Sequence, residues 1–367
     1  MSYITSIGTA NPANRFEQQQ LAEFMVRVMH ADSNQSRKIR TVFRASGIEA
    51  RHSVLEDYGR SSNYTIYPNN GDVPFPGTQE RMKLYRQYAL PLSVAAVDDL
   101  CVSRPDFDVK DVSHLVVVSC TGMYAPGLDI DLIKHFKLST NTERTCINFM
   151  GCYAAFNGLK AADAICQANA RAKVLVICAE LCSLHFQPEP NDDNILANAL
   201  FGDGAAAMLV EANSNCKRKL SIERFHSDLA LNGEHDMAWS ISDFGFEMRL
   251  SSYVPDLLKR EISGFIDNLL AKPGITRADI RHFAFHPGGK KILQAIENEL
   301  KLDPDHIGVS YSVLRRFGNM SSPTVVFVLR DIFDQLTEAD NGAWILSAAF
   351  GPGLALESML LKAMIHA

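Results

Sequence analysis

The sequence predicts a protein of the α/β class, on the basis of three observations. Short apolar runs typical of buried strands alternate with helical segments along the whole chain. Hydrophobic residues make up 47% of the 367 residues, which is enough for a large core. A polar, turn-like stretch over residues 213–219 interrupts the alternation, and the same theme then returns. We therefore expect two similar halves, residues 1–215 and 216–367, packed as one rigid body.

The strands predicted for the first half are His114–Cys120, Thr145–Phe149, Lys173–Ala179 and Ala205–Val210. The apolar run Cys146–Met150 contains most of the second of these strands; a single glycine, Gly151, separates this run from Cys152, and a helix of small residues follows. A thiol at a helix N-terminus faces unpaired N–H groups, which favour the thiolate and can lower its pKa from about 8.5 to well below 7. Cys152 is therefore the candidate nucleophile.

The second half repeats the pattern. Its predicted strands lie near His282–His286, Ala343–Phe350 and Leu354–Leu361, and its predicted helices near residues 289–300 and 320–336. Residues 307–314 lead through Gly318 and Asn319 into a helix, in parallel with residues 145–150 and Cys152. If the halves pack around a pseudo-twofold axis, these two helix N-termini meet at the centre of the molecule.

Two polar residues of the second half are candidate partners of the cysteine. His286 ends an aromatic-rich strand and is followed by Pro287, which stops the strand, and by two glycines, which let the backbone approach a ligand. Its ring is expected at the carboxyl end of the strand, where open α/β sheets bind ligands. Asn319 stands near a helix start, where it could also serve only as an N-cap.

Charge and composition exclude several classes of function. The net charge of -6, with no long basic run, gives no footprint for nucleic acid or for a membrane surface. No apolar run reaches the roughly 18 residues that span a bilayer. Eight cysteines without a Cys-x-x-Cys pair predict neither a metal site nor a disulfide scaffold, and most are expected to be small buried residues. We expect a cytoplasmic protein.

Four short motifs, taken together, resemble those of type III polyketide synthases, the chalcone-synthase-like enzymes. They are Met150-Gly151-Cys152, His286-Pro287-Gly288-Gly289, Gly318-Asn319-Met320-Ser321-Ser322 and Phe350-Gly351-Pro352-Gly353. The resemblance covers nearly the whole chain, and in detail the sequence is more similar to the bacterial branch of this family. It implies a thiolase fold with αβαβα layers, in a homodimer.

The resemblance also implies a reaction. Cys152 would carry an acyl chain from a starter acyl-CoA, and malonyl-CoA would extend it by repeated decarboxylative condensation, followed by closure to a pyrone or a polyhydroxylated aromatic. His286 and Asn319 would donate hydrogen bonds to the enolate, and the imidazole would also stabilise the thiolate. Coenzyme A thioesters serve as substrates, and no cofactor or metal is expected.

Further residues follow from the same resemblance. The expected substrate pocket comprises Cys120, Cys182, His185, Phe201, Trp239, Met248, Ser321 and Phe350. Phe201 corresponds to the first of two gatekeeping phenylalanines of the plant enzymes, and Met248 stands where the second would be. The bulk of Trp239 is expected to narrow one part of the pocket, which favours short or differently routed chains. The phosphates of coenzyme A would meet Arg37, Lys38, Arg40 and Arg44, although these cations could equally form a solvated helix face.

Three alternatives stay open at this point. A ketoacyl synthase III-like enzyme would share Cys, His and Asn on the same fold. A papain-like hydrolase uses the same three residue types on a different architecture. A silent partner subunit would be expected to have lost one of them. The starter, the number of condensations and the mode of cyclisation are not predicted.

Overall fold

The computed structural model describes residues 1–69, 74–233, 236–251, 253–272 and 274–366. The strands are β1 (Ser2–Ala10), β2 (Asn14–Glu17), β3 (Ala50–Ser53), β4 (His114–Ser119), β5 (Glu143–Asn148), β6 (Lys173–Leu181), β7 (Asp203–Glu211), β8 (Arg218–Leu229), β9 (Met237–Ser242), β10 (Gly245–Leu250), β11 (Ile280–Phe285), β12 (Trp344–Gly351) and β13 (Ala355–Ile365). The α-helices are α1 (Gln18–Val28), α2 (Ser33–Ala45), α3 (Thr78–Ser103), α4 (Leu128–Phe136), α5 (Ala154–Ala168), α6 (Asp192–Leu200), α7 (Val254–Ala271), α8 (Lys290–Leu300), α9 (Pro304–Phe317) and α10 (Ser322–Gln335).

The main sheet consists of two strand sets with the same pairing pattern. The first set runs in the order β1-β7-β6-β4-β5, and the second in the order β8-β13-β12-β11. In the first set, the pairs β1–β7 and β7–β6 are antiparallel and the pair β6–β4 is parallel. In the second set, the pairs β8–β13 and β13–β12 are likewise antiparallel and the pair β12–β11 is parallel. The two sets join through a short antiparallel pairing of β1 with β8. The two strand sets therefore share one pairing pattern over their first three pairs.

Alternating strand residues create the layers. Val116 and Val118 of β4 face a central apolar cluster that contains α5 and α10, whereas Leu115 and Val117 face the cluster that contains α3. In the second set, Ala284 of β11 faces the central cluster while its neighbours pack with α7 and α8. The order of layers is therefore helices, the first strand set, central helices, the second strand set and helices, which is the αβαβα arrangement.

The central helices account for how the two halves meet. Nearly every residue of α10 from Ser322 to Leu329 is buried, because α5 packs against it and strands of both sets surround it. A helix that is buried all round must be apolar or small on every face. The N-termini of α5 and α10 thus lie in the interior, close to Cys152 and Asn319.

The expected parallel between the halves holds only in part. Residues 145–148 belong to strand β5, but residues 307–314 belong to helix α9. Asp303 and Pro304 begin this helix, and its buried residues Ile307, Ser310 and Leu314 follow helical spacing. The helix after Asn319 begins at Ser322, two residues later than expected. Within the described residues, no helix combines the length and the apolar character needed to cross a membrane.

Candidate active site

A strained turn presents Cys152. After β5, Phe149 and Gly151 both adopt positive φ angles of 61° and 79°, and a single 3-10 turn over Gly151–Tyr153 leads into α5. Positive φ is costly for a residue with a side chain, so Gly151 suits this position and Phe149 is held there by its surroundings. The turn directs Cys152 into the interior, where only 6% of its surface is exposed.

The loop after β12 explains why glycines surround the cysteine. A side chain at Gly151 would overlap the ring of Pro352, and a Cβ at Gly351 would lie 2.7 Å from the ring of Tyr153 and 3.3 Å from the backbone nitrogen of Cys152. The glycines therefore allow the loop to pack directly against the turn. This contact joins the second half of the chain to the nucleophile of the first.

His286 follows the last residue of β11. Its backbone N–H donates to Ala348 of β12 at 2.8 Å, and its carbonyl accepts from Gly288 in the tight turn before α8. The side chain is 1% exposed, and neither ring nitrogen has a hydrogen-bond partner among the described residues. An unpartnered buried imidazole is costly in a folded protein. Its two nitrogens are therefore available to a substrate.

The side chain of Asn319 has a fixed orientation. Its Oδ1 accepts the backbone N–H of Ser321 at 2.8 Å, which identifies the other amide atom as the donor. Nδ2 donates to the carbonyl of Gly288 at 3.3 Å and lies 3.9 Å from Sγ of Cys152. The carboxamide thus points into the interior toward the sulfur, and it does more than cap α10.

Cys152, His286 and Asn319 line one small buried space, which we call the central cavity; Phe201, Met237, Met248, Leu250, Gly288, Ile292 and Phe350 complete its wall. Its volume of about 20 Å³ holds one or two water molecules. The structure therefore brings the three residues together, with Phe201, Met248 and Phe350 of the expected pocket around them.

Burial controls the charge states of Cys152 and His286. It raises the pKa of Cys152 to about 11, although hydrogen bonds from Ser321 and Asn319 oppose this shift. It lowers the pKa of His286 to about 3. The expected thiolate with a pKa below 7, paired with an imidazolium, is therefore not the resting state. A thiol faces a neutral imidazole, because desolvation disfavours both charged forms.

Glu180 is a buried carboxyl group that sequence reasoning did not single out. Its oxygens accept bonds from Thr121 Oγ1 at 2.7 Å, from Ser322 Oγ at 2.6 Å, and from both N–H and S–H of Cys120. Burial raises its pKa. Cys120 in turn lies 3.3 Å from Oγ of Ser321, which also interacts with Cys152. Cys120 and Ser321 thus form a polar layer between Glu180 and the nucleophile.

A second space, which we call the inner cavity, has a volume of about 40 Å³. Cys182, His185, Trp239 and Phe246 line it, and it shares Phe201 and Met248 with the central cavity. These two residues therefore form the wall between the cavities.

The aromatic side of the inner cavity is rigid. The ring of His185 stacks on Phe246 at 4.3 Å, accepts its backbone N–H and bonds the carbonyl of Thr121. Trp239 Nε1 donates to the carbonyl of Cys120 at 2.7 Å. Since both ring nitrogens of His185 are engaged and burial lowers its pKa to about 3, this histidine shapes the wall as a neutral group.

The four cations expected to bind phosphate do not form one patch. Val42 and Ala45 of α2, together with Ser46 directly after this helix, line a surface mouth that opens beside Gly288 and Ile292 of the central cavity. Lys38, one turn before Val42, lies on this helix face and pairs with Asp192. Helical spacing puts Arg37, Arg40 and Arg44 on the opposite face, and Arg40 is engaged by Glu23 at 2.7 Å.

Two lysines outside the expected run line the same mouth. Lys290 and Lys291 begin helix α8, immediately after the Gly288-Gly289 turn. We call this opening, with its volume of about 210 Å³, the basic mouth. The sequence signal for it was the pair of lysines four and five residues after His286, at a helix N-terminus where backbone N–H groups also favour anions.

Residues 1–214 match the family model described as chalcone and stilbene synthases, N-terminal domain, and residues 224–365 match the corresponding C-terminal domain. An "Alpha-pyrone synthesis polyketide synthase-like Pks18" from Mycobacterium tuberculosis is 29% identical, over 98% of this chain and 91% of that protein.

A "Probable polyketide synthase 1" from Dictyostelium discoideum is 30% identical over 99% of this chain, but the chain spans only 12% of its length. The crystal structure of the C-terminal type III polyketide synthase domain of "Steely1", a type I/III hybrid from Dictyostelium, superposes with a TM-score of 0.89. That domain is 27% identical in sequence, and the superposition covers 99% of each chain.

Proposed function

Because the chain belongs to the chalcone and stilbene synthase family of type III polyketide synthases, which are condensing acyltransferases, we propose that it builds a polyketide on Cys152. Residues 1–215 supply the nucleophile, and residues 216–367 supply His286 and Asn319. A starter acyl-CoA loads the cysteine, malonyl-CoA extends the chain repeatedly, and the chain then cyclises. The observation that carries this proposal is the central cavity itself, which all three side chains line.

Loading exchanges one thioester for another. The thiol of Cys152 attacks the acyl carbonyl as His286 takes its proton, and the coenzyme A sulfur leaves with that proton. A neutral imidazole with two unpartnered nitrogens can accept and return the proton without any other base. The bond to Cys152 forms as the bond to coenzyme A breaks, so the energy of the thioester is conserved.

Extension begins when malonyl-CoA loses carbon dioxide. The electron pair of the broken C–C bond moves onto the thioester oxygen, and the enolate needs hydrogen-bond donors at that oxygen. Asn319 supplies Nδ2–H, since its Oδ1 is already engaged by Ser321, and a neutral His286 supplies one N–H. The enolate carbon then attacks the acyl group on Cys152, and the thioester bond to Cys152 breaks as the C–C bond forms. The sulfur of Cys152 leaves as a thiolate, which carries the negative charge left by decarboxylation, and the lengthened chain remains on coenzyme A. This thiolate attacks the new thioester in the next loading step, and coenzyme A leaves and takes up a proton from solvent.

The family match decides against the ketoacyl synthase III-like alternative, because both halves match chalcone and stilbene synthase models. The papain-like alternative fails because Cys152 precedes a central helix of an αβαβα arrangement. The silent-subunit alternative loses its basis because Cys152, His286 and Asn319 face one cavity.

The basic mouth is the proposed entrance for coenzyme A thioesters. It adjoins the central cavity through Gly288 and Ile292, so an acyl group can reach Cys152 while the phosphates stay outside. Lys290 and Lys291 replace Arg37, Arg40 and Arg44 as the proposed phosphate contacts. Lys38 can join them on release from Asp192.

The shape of the inner cavity supports short or differently routed chains. Trp239 is fixed by its bond to Cys120 and by edge contacts with His185 and Phe246, so its ring cannot easily make room for a growing chain. The mycobacterial relative is named for alpha-pyrone synthesis, and we propose a pyrone or a small polyhydroxylated aromatic as the product here.

A homodimer is proposed from the edge of the main sheet. β5 is the last strand in the sheet order, and five of its six residues are exposed. An exposed strand edge is a template for pairing with another chain. Met150, two residues after β5, and Met123, four residues after the neighbouring strand β4, are also exposed at 36% and 43%. Pairing of β5 with its copy would cover them.

The setting of the reaction is proposed on chemical grounds. Decarboxylation supplies the carbanion and thioesters supply the electrophile, so neither a redox cofactor nor a metal is required. All eight cysteines are unpaired, which supports a reducing compartment such as the cytoplasm.

The test is incubation with malonyl-CoA and a panel of acyl-CoA starters, followed by mass analysis of the products. Products that contain the starter plus malonyl-derived two-carbon units are expected. The same malonyl group on a carrier protein is expected to be a poor substrate. Turnover only with the carrier-bound form, or no condensation with any starter, would refute the proposal.

A further inference from the structure

The hairpin β9–β10 forms a two-stranded sheet of its own, apart from the main sheet. It carries Trp239 and Met248, which are paired across its two strands and form part of the wall of the inner cavity. A hairpin of two strands is only marginally stable by itself. The position of this wall therefore depends on the contacts that hold the hairpin to the rest of the fold.

Gln187 joins this hairpin to the segment that contains His185. Its Nε2 lies 3.1 Å from the carbonyl oxygen of His185, 3.2 Å from that of Phe244 and 3.1 Å from that of Phe246. Three converging acceptors identify this atom as the amide nitrogen, and its two N–H groups are shared among the three carbonyls. The side chain of Gln187 is 5% exposed, and its backbone carbonyl accepts from Nδ2 of Asn198 on α6 at 3.3 Å. Gln187 is therefore a fixed, buried link.

His185 packs closely against the same hairpin. Its ring stacks on Phe246 and accepts the backbone N–H of this residue at 2.9 Å. Gly245, the residue before Phe246, has a φ of 95°, and a Cβ there would lie 2.9 Å from Nδ1 of His185 and 2.7 Å from Cδ of Arg81. Because the backbone of the hairpin lies this close to the imidazole, a shift of the hairpin also displaces the ring of His185.

We propose that Gln187 is a positioning residue, which holds His185 and the β9–β10 hairpin in place and thereby sets the distribution of products. The inference rests on the proposed function. Gln187 lines the inner cavity, but it is not among the described residues that line the central cavity. A misplacement of about 1 Å can change a rate about 10²-fold. A shift of the wall therefore changes how the chain closes, whereas decarboxylation in the central cavity continues.

Three substitutions test this role. Gln187→Glu changes the size of the side chain very little, but a carboxylate has no N–H and places negative charge against three carbonyl oxygens. Gln187→Met removes the donors without adding charge, and it is used where Gln187→Glu does not fold. Gln20→Glu is the matched control, since its amide also donates to a backbone carbonyl, that of Gly59 at 3.5 Å, but is exposed on α1.

The fluorescence of Trp239 reports the position of the hairpin without any need for activity. The chain has two tryptophans, and Trp344→Phe leaves Trp239 as the only one. In this background both Gln187 variants are expected to shift the emission to longer wavelength, because the ring of Trp239 gains contact with water, and Gln20→Glu is expected to leave it unchanged. Unchanged emission in both Gln187 variants overturns the inference and leaves the proposed function intact.

The products supply the second readout. Mass analysis after reaction of one starter with malonyl-CoA is expected to show the ratio of the main products changed about tenfold or more in both Gln187 variants. Carbon dioxide release from malonyl-CoA is expected to stay within about twofold of wild type, because the central cavity is not displaced. An unchanged product ratio, or a parallel loss of carbon dioxide release and product, overturns the inference alone. Absence of any condensation product from the wild-type protein overturns the proposed function and, with it, the inference.

Discussion

The role of Asn319 as a donor to the enolate gives a quantitative prediction. In the variant Asn319→Ala, the amide that lies 3.9 Å from Sγ of Cys152 is lost. Removal of one preorganised donor from such a site lowers kcat by about 10²–10³, equivalent to about 2.7–4 kcal/mol. The rate of malonyl-CoA decarboxylation is therefore expected to fall by that factor, because charge develops at this oxygen in that step.

Loading of Cys152 is expected to respond much less, because the proton transfer to His286 does not pass through the amide. Asn319→Ala also leaves the N–H of Ser321 without its acceptor, which costs about 1–3 kcal/mol of folding free energy. The thermal midpoint must therefore be measured beside the two rates, to show that the variant is folded at the assay temperature.

The assay measures carbon dioxide released from malonyl-CoA labelled in its carboxyl group, and separately the acyl mass gained by Cys152 from a starter. Asn213→Ala is the matched control, since its amide also donates to a backbone carbonyl but is exposed and remote from the site. Carbon dioxide release within about twofold of wild type in a folded Asn319→Ala protein would refute the reasoning. Equal losses in loading and decarboxylation would refute it as well.

Four further predictions follow from the site. Cys152→Ala is expected to abolish loading and product. Its residual rate of malonyl-CoA decarboxylation is expected to be independent of pH between about 5.5 and 8, because the pKa of His286 is lowered to about 3 and the imidazole stays neutral throughout this range. A decarboxylation rate that falls as pH rises through this range contradicts the role of a neutral imidazole as the donor. Lys290→Glu combined with Lys291→Glu is expected to raise KM for malonyl-CoA about tenfold with a smaller change in kcat, and the rise in KM is expected to be larger at low salt. Arg37→Glu combined with Arg44→Glu is expected to leave KM unchanged. If instead only the arginine variant raises KM, the phosphate contacts are the cations expected from the sequence. Trp239→Gly is expected to lengthen or redirect the products found by mass analysis, and an unchanged product profile contradicts its place in the cavity wall. Gly151→Ala is expected to lower the free energy of unfolding, measured with denaturant, by about 1–3 kcal/mol, because alanine is strained at this positive φ and its Cβ would overlap with Pro352. A variant that is as stable and active as the wild type contradicts this packing.

The sequence predicted those parts of the site that short motifs carry. Cys152, His286 and Asn319 each stand beside glycines and at the ends of strands or helices, so local pattern was enough to select them. The alternation of apolar runs also predicted the α/β class and most strands of the main sheet. The predicted parallel between residues 307–314 and residues 145–150 was wrong, because the apolar spacing of residues 307–314 fits a helix. Among the described residues, the second half has no counterpart of β5 in the main sheet.

Other features depend on contacts between distant segments, which no local pattern reveals. Glu180 is one acidic residue among many in the sequence, and only the fold surrounds it with Cys120, Thr121 and Ser322. The cations of α2 form a run in the sequence, but helical geometry divides them between two faces. The pKa of Cys152 depends on burial, which the helix-start argument did not include.

The most direct test of the central claim is the mass of the Cys152 peptide during turnover. The protein is mixed with a starter acyl-CoA and malonyl-CoA, quenched in acid within a single turnover and digested, and the peptide that contains Cys152 is measured. The account predicts that this peptide carries the starter first and then the starter lengthened by malonyl-derived two-carbon units. Products that form while Cys152 stays unmodified, or acyl mass found only on another cysteine, would contradict it.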